Sequence, residues 1–266
     1  MDKKIQGGLL AIIIFLLFIF LNDASADELR NGVIRAEAME TIFSGQEEMH
    51  FSITWTGGVK IGDLNLSLKK IGQDEFEIYV RVTDYGLFKF FYPVDDLFVT
   101  LVRGALKLPY QYQVVQREGR GGVTRRLTVY DQDNLIVTYK KNDSPEINFE
   151  IAETVHNEFS SFYITRSMEL SPGKSFKVPT FADKKLNEVK VDVKGREDID
   201  TPFGRVRTLI VHPLMKFKGL FDKDGDTVIW MTDDNCRVPV KIRSKILIGS
   251  LTADLIKYSN PGCERY

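Results

Sequence analysis

Polar and apolar residues alternate along most of the chain, which is the pattern of β-strands with one buried face. In the first such segment Phe51, Ile53 and Trp55 fall on one side, and Gly57 and Gly58 follow as turn residues. Similar alternation, with turn residues between, recurs in the segments 64–68, 76–82, 96–102, 110–117, 124–130, 135–140, 175–178, 188–197, 206–211, 227–231, 238–242 and 249–258. Consecutive strands joined by short turns predict an antiparallel meander.

One segment, from about Glu153 to Glu169, has the spacing of three and four residues that is typical of a helix. It ends at Ser171-Pro172-Gly173. Many strands with one main helix predict a mainly β fold, either a strongly curved antiparallel sheet or an open barrel, with the helix against it. Any part of the concave face that the helix leaves uncovered would be a groove for an apolar ligand.

The first 26 residues have the layout of a cleavable secretory signal. Lys3 and Lys4 precede an unbroken apolar run from Leu9 to Leu21, and Ala24-Ser25-Ala26 places small residues at a cleavage position. The run is shorter than the ~20 residues of a spanning helix, although a retained N-terminal anchor stays open. We expect an exported protein, periplasmic or secreted, without a transmembrane span after cleavage. The expected units are a signal peptide (1–26), a lead-in (27–46), a single β-rich domain (47–258) and a C-terminal tail (259–266).

The charge balance is that of an ordinary globular protein, since 36 Lys and Arg face 37 Asp and Glu. A nucleic-acid partner is not expected, because it requires a clustered basic excess. No phosphate loop, dinucleotide fingerprint or nucleophile elbow occurs, and the histidines lack metal-ligand spacing. We therefore expect no cofactor and no metal.

The two pairs of neighbouring aspartates do not have the arrangement of catalytic carboxylates. Asp95-Asp96 and Asp233-Asp234 fall at turns or in strands, where neighbouring side chains diverge, so we expect no catalytic residue among them. Asp222 to Asp226 resembles the start of a calcium loop but lacks the Glu that such a loop carries at its twelfth position. A hairpin turn is the simpler interpretation of that segment.

Two cysteines, Cys236 and Cys263, are the only ones in the chain. In an oxidising compartment they would pair and tie the C-terminal tail to the turn around Asn235. Two free thiols remain the alternative, since the sequence does not fix the distance between the Cα atoms.

Aromatic residues supply the candidate ligand-binding site. Leu87 to Tyr92 is dense in aromatic side chains, which predicts either core packing or an apolar lip for a lipid or a partner. On the predicted helix, Arg166 shares a face with Phe162 and Tyr163 and needs an anionic partner, either a carboxylate or a ligand. The candidates are Trp55, Phe88, Phe90, Phe91, Tyr92, Phe162, Tyr163, Arg166 and Trp230.

An ordered set of short blocks resembles a known family. The blocks are Asn157–Arg166, Leu170–Gly173, Asp200–Gly204, Ile229–Asp234, Arg237–Val240 and Ile248–Ser250. Together they resemble the bacterial exported-protein family known as domain of unknown function 3108 (DUF3108), over roughly Glu47 to Tyr258. The resemblance implies a signal peptide and a β-rich envelope domain, and it implies no catalytic residues.

Three functions follow from these observations. The first is a non-catalytic cell-envelope protein that binds or carries an apolar or lipid-like ligand in a cavity lined by residues such as Trp55, Phe88, Phe91, Phe162 and Trp230. The second is a structural or interaction module with an envelope protein as its partner. The third is a hydrolase of wall or polysaccharide, which requires converging carboxylates or a Ser/His pair in a cleft. We expect the first, and no enzymatic activity.

Overall fold

The computed structural model describes residues 30, 32–86, 93–119, 121–214, 227–246, 249–263 and 266. The predicted signal peptide, the aromatic candidates Phe88, Phe90, Phe91 and Tyr92, and the calcium-like segment 222–226 lie outside these residues. Two helices, α1 (Ala36–Ile42) and α2 (Glu158–Arg166), accompany the strands.

A single antiparallel sheet contains the fourteen strands of the described residues. They are β1 (Gln46–Trp55), β2 (Val59–Lys70), β3 (Glu75–Asp84), β4 (Asp95–Arg103), β5 (Leu108–Gln116), β6 (Thr124–Asp131), β7 (Ile136–Lys141), β8 (Ile147–Glu150), β9 (Ser175–Ala182), β10 (Lys185–Thr201), β11 (Gly204–Leu214), β12 (Thr227–Thr232), β13 (Pro239–Lys245) and β14 (Ser250–Ser259).

Each strand pairs with its neighbours in sequence except at the centre, where β1 pairs with β14. The strands β8 and β9 are the edges of the described sheet, and they are not paired with each other. Helix α2 connects these two edges and contacts β9, β4 and α1. The prediction of a mainly β protein, with an open antiparallel sheet and one main helix against it, is confirmed.

Helix α2 is shorter than the predicted range of Glu153 to Glu169. The residues before it are held by the sheet, because the Val155 amide donates to Gln132 and His156 forms a parallel bridge with Thr180. Asn157 is extended, and its side chain accepts hydrogen bonds from the amides of the first helical turn. The helix therefore begins at Glu158, and the apolar spacing that extends further toward the N-terminus belongs to residues packed as extended chain.

Side chains from α2 and from the inner face of the sheet fill the space between them. Phe51 and Leu68 have no solvent exposure, and neither have Tyr163 and Ile164 on the helix. The rings of Phe98 and Phe159 pack with centroids 5.2 Å apart. Burial of each large apolar side chain contributes ~1.5–3 kcal/mol relative to exposure. None of the helices in the described part of the chain has the length and apolar character needed to cross a membrane.

Candidate functional site

An open groove of about 520 Å³ contains both tryptophans of the chain and is here called the tryptophan groove. Its walls come from the end of β1 and the β1–β2 turn, from β10, and from β12, β13 and β14. Trp55 and Trp230 therefore meet at one site although one lies in the first strand and the other in the twelfth.

The residues of β12, β13 and β14 that line the groove lie on the face of the sheet that points away from α2. Ile229 and Met231 are buried in the core cluster that packs against the helix, so Trp230 between them points to the other face. Trp230 pairs with Lys241 of β13, and Lys241 pairs with Asp254 of β14. Residues that are directly paired across antiparallel strands share a face. These three side chains therefore form a row across the outer face.

Trp55 is the last residue of β1, and 36% of it is exposed. Gly249 lies beside it with a φ of +88°, and a Cβ at Gly249 would come within 2.1 Å of the Thr56 hydroxyl and 3.2 Å of the Trp55 indole nitrogen. The Thr56 hydroxyl accepts the Ser250 amide at 2.8 Å. Position 249 therefore requires glycine for two reasons: the backbone has a positive φ, and a Cβ would collide with Thr56 and Trp55.

Charged side chains in the groove hold its second tryptophan and leave one basic group available. The Trp230 indole N–H donates to Glu197 Oε2 at 2.7 Å. Lys241 Nζ lies 3.4 Å from Asp254 Oδ1. Among the described residues, Arg243 has no carboxylate within ion-pair distance, and it is exposed. The groove thus combines aromatic rings with two acidic and two basic side chains.

The helix candidates lie inside the molecule instead. Phe162 is partly buried against the core, and Tyr163 and Arg166 have no exposure. The structure therefore does not bring Trp55, Phe162 and Trp230 to one apolar cavity, because alternation along β12 directs Trp230 outward while α2 faces inward. The candidates in the segment 87–92 lie outside the described residues.

Arg166 has a carboxylate partner within the protein. Its Nη1 and Nη2 lie 2.6 and 2.7 Å from the two oxygens of Glu47, and neither side chain is exposed. Its Nε donates to the Arg237 carbonyl at 3.1 Å. The Tyr258 hydroxyl donates to Glu47 Oε1 at 2.9 Å. This buried network ties α2, β1 and β14 together, which accounts for the Arg on an apolar helix face.

Cys236 and Cys263 are joined by a disulfide, with Cα atoms 5.8 Å apart. The bond ties the segment after β14 to the β12–β13 turn. The carbonyl of Cys236 also accepts from Arg166 Nη2 at 3.2 Å. The disulfide and the buried ion pair thus hold the same corner of the fold.

A second polar cluster lies under the N-terminus of α2, and the sequence pattern does not indicate it. Glu158 Oε2, Arg126 Nε and the Tyr130 hydroxyl are buried without a hydrogen-bond partner. Burial raises the pKa of Glu158 to about 7, with Arg126 opposing the shift and Asp183 adding to it. An acidic residue in a first helical turn is ordinarily exposed, so this burial becomes apparent only when β5 and β6 are placed beneath the helix.

The aspartates and the histidine that remained as candidates for catalysis make structural contacts within the protein. Asp96 is fully buried and accepts from the Gln116 side chain and the Arg117 amide, each at 3.0 Å. Asp234 accepts from the Tyr266 hydroxyl at 2.5 Å. Burial lowers the pKa of His156 to about 3, so this ring is neutral. No group of three or more metal-ligating side chains that could hold a metal ion occurs in the described ranges.

One solved structure agrees with this fold. A β-barrel-like protein of domain of unknown function DUF1849 from Brucella abortus is similar, with a TM-score of 0.54 at 8% identity over 81% of this chain and 98% of its own. A hypothetical protein from Chlamydia trachomatis aligns with a TM-score of 0.33 at 5% identity, over 84% and 92% of the two chains. No curated protein matches the sequence.

The family profile described as "Protein of unknown function (DUF3108)" matches residues 50–256. That range includes β2 to β13 and most of β1 and β14, and it confirms the resemblance seen in the sequence blocks. The chain therefore belongs to the DUF3108 family.

Proposed function

We propose that the protein is exported to the cell envelope and acts there as a non-catalytic binding protein, which holds an amphipathic ligand in the tryptophan groove. The observation that carries the proposal is that Trp55 and Trp230 both line one open groove. Tryptophan buries large areas when it binds a partner, and two tryptophans at one open site, one 36% exposed and the other partly exposed, favour a role in contact with a ligand.

The lining favours an amphipathic ligand over an acyl chain alone. An acyl chain needs a continuous apolar surface, because burying charged side chains without partners is costly. Lys241, Arg243 and Asp254 lie between the aromatic walls. The ligand therefore combines apolar surface with polar groups, as a lipid headgroup or a glycan does.

The contacts of the acidic side chains favour binding over acid–base chemistry. Glu197 accepts the indole N–H of Trp230, and Asp254 faces Lys241. General acid–base catalysis uses two groups that converge on the reacting atoms with their pKa values set apart. The groove instead offers fixed rings and charges, which suit recognition.

Two observations support export. Residues 1–26 carry the basic, apolar and small-residue order of a secretory signal. The disulfide between Cys236 and Cys263 suits an oxidising compartment. Fractionation of bacterial cells that express the full chain tests this part. We expect a shortened product outside the cytoplasm and cytoplasmic retention after deletion of 1–26; a full-length cytoplasmic product would contradict it.

Native mass spectrometry of the protein purified from bacterial envelopes tests the groove. We expect a co-purified molecule on the wild type and its loss from the double variant Trp55→Ala/Trp230→Ala. Tyr110→Ala removes an aromatic ring from β5, in the other half of the sheet, and should keep the bound mass. Equal bound mass on all three proteins, or none on any, would refute the proposal.

A further inference from the structure

The tryptophan groove offers both kinds of surface that a sugar ring needs. One face of a sugar ring presents C–H groups, which pack against an indole ring, and its edge presents hydroxyl groups, which need hydrogen-bond partners. Trp55 and Trp230 supply the rings. Glu197, Lys241 and Asp254 supply charged partners around them.

Trp230 is positioned before any ligand arrives. Its indole N–H is held by Glu197 at 2.7 Å, and its neighbours Lys241 and Ile210 lie on paired strands of the sheet. A side chain that is already fixed loses less conformational freedom when it binds. This arrangement suits a rigid, flat-faced ligand such as a sugar better than a flexible acyl chain.

Arg243 indicates the charge of the ligand. The other basic side chain of the groove, Lys241, faces Asp254 at 3.4 Å. Arg243 lies opposite Thr252 on β14 and Val228 on β12, neither of which is acidic. Within the described residues no carboxylate pairs with its guanidinium, whose forked donors match a carboxylate in a two-point contact.

The size and openness of the groove admit a chain of sugars as well as a single sugar. Its volume of about 520 Å³ lies within the range of about 300–1,000 Å³ that is usual for small-ligand sites. The groove is open to solvent, so a bound segment can continue beyond it. We infer that the tryptophan groove binds a segment of an acidic polysaccharide, with sugar rings on the tryptophans and a carboxylate on Arg243. This inference rests on the proposed function and names its ligand class.

Tryptophan fluorescence tests the inference directly, because the two tryptophans of the groove are the only ones in the chain. The probes are the tetramers of galacturonate and mannuronate, and the same tetramers with their carboxylates methyl-esterified. We expect a saturable change with at least one acidic tetramer and binding about tenfold weaker or less with its ester, because the ester cannot form the charged contact.

Variants separate the contact with Arg243 from a general effect of charge. Arg243→Gln should weaken binding of the acidic tetramer about tenfold and leave binding of the ester unchanged. Arg125→Gln removes an exposed arginine from β6, in the other half of the sheet, and should bind like the wild type. Circular dichroism checks that each variant is folded.

Failure of this inference is distinguishable from failure of the proposed function. No response to either acidic tetramer, or equal affinity for acid and ester, overturns the acidic polysaccharide. Vesicles of phosphatidylglycerol form a further arm, and a tryptophan response to these vesicles alone overturns the saccharide while the binding function stands. Absence of a co-purified molecule in native mass spectrometry overturns the proposed function itself.

Discussion

Arg166 and Glu47 form a two-point ion pair across 119 residues of sequence, at 2.6 and 2.7 Å, in a region without solvent exposure. The pair links helix α2 to the central strand β1. Tyr258 of β14 donates a third hydrogen bond to the same carboxylate. The helix is thus held to the middle of the sheet as well as to the edge strand β9.

Glu47→Gln should destabilise the protein strongly. Neutralising one partner leaves the Arg166 guanidinium buried without its counter-charge, which costs about 3–5 kcal/mol. Urea unfolding followed by circular dichroism measures the loss. Glu48→Gln is the matched control, because Glu48 is exposed on the other face of β1 and should change stability by less than about 0.5 kcal/mol. Similar midpoints for the two variants would show that the pair does not hold the helix.

Glu158 should make the fold less stable as the pH rises from about 4.5 to about 7. Its folded-state pKa of about 7 is above the ordinary value of 4.5 because burial disfavours the charged form. Over that window the unfolded chain releases the proton first, so the unfolded state binds fewer protons and stability falls with pH.

The variant Glu158→Gln should remove this loss of stability between pH 4.5 and 7, which is on the order of 3 kcal/mol. The pH-dependence of the wild type minus that of Glu158→Gln isolates the effect, because His156 contributes equally to both. Burial lowers the pKa of His156 to about 3. Its contribution to the free energy of unfolding is therefore lost as the pH falls below about 6.5. Parallel curves for the two proteins between pH 4.5 and 7 would contradict the assignment.

Removal of the disulfide should lower the free energy of unfolding by about 3.5 kcal/mol, from the closure of a loop with a sequence separation of 27. The double variant Cys236→Ser/Cys263→Ser is compared with the wild type in urea, with and without dithiothreitol. The reductant should lower the stability of the wild type to that of the variant and leave the variant unchanged. A wild type that is insensitive to complete reduction, verified by thiol titration, would argue against this contribution.

Asn157→Ala should cost about 1–2 kcal/mol. The side-chain Oδ1 of Asn157 accepts from the backbone amides of Phe159 and Ser160 at 3.1 and 2.8 Å, and its side-chain Nδ2 donates to the Thr100 hydroxyl of β4 at 2.8 Å. Asn157→Asp keeps the acceptor for the helix and loses the donor to β4, so it should retain part of the stability. Thermal unfolding ranks the three proteins; an aspartate variant less stable than the alanine variant would rule out capping as the main effect.

Thirteen of the fourteen described strands could be predicted, because each alternates and ends at turn residues, but the four-residue strand β8 (Ile147–Glu150) could not. The N-terminal boundary of α2 could not, since Val155 fits the helical spacing and yet belongs to the extended chain that packs on Gln132. The sequence pattern also does not show on which face of the sheet Trp230 lies. Val228, Ile229 and Met231 surround it with apolar residues on both sides of the strand, so the pattern does not say which side is inner.

The partner of Arg166 was predicted by chemical type, as a carboxylate or a ligand anion, but not by position. Glu47 lies in an alternating strand where a glutamate suggests the solvent side, and only the pairing of β1 with β14 brings Tyr258 and Arg166 around it. Contacts over such a separation depend on the register of the whole sheet. The cluster around Glu158 was missed for the same reason.

The pairing of β1 with β14 also sets an order for how this chain can assemble. Strands β1 to β8 form one run of local hairpins and β9 to β14 form another. Among the strands that the structure describes, the seam between the two runs is the one place where strands far apart in sequence must pair. While the chain is being synthesised, β1 has an unpaired flank until β14 emerges. A long-lived unpaired flank is a hazard for intermolecular association, so a factor that shields β1 during this interval would raise the yield of folded protein.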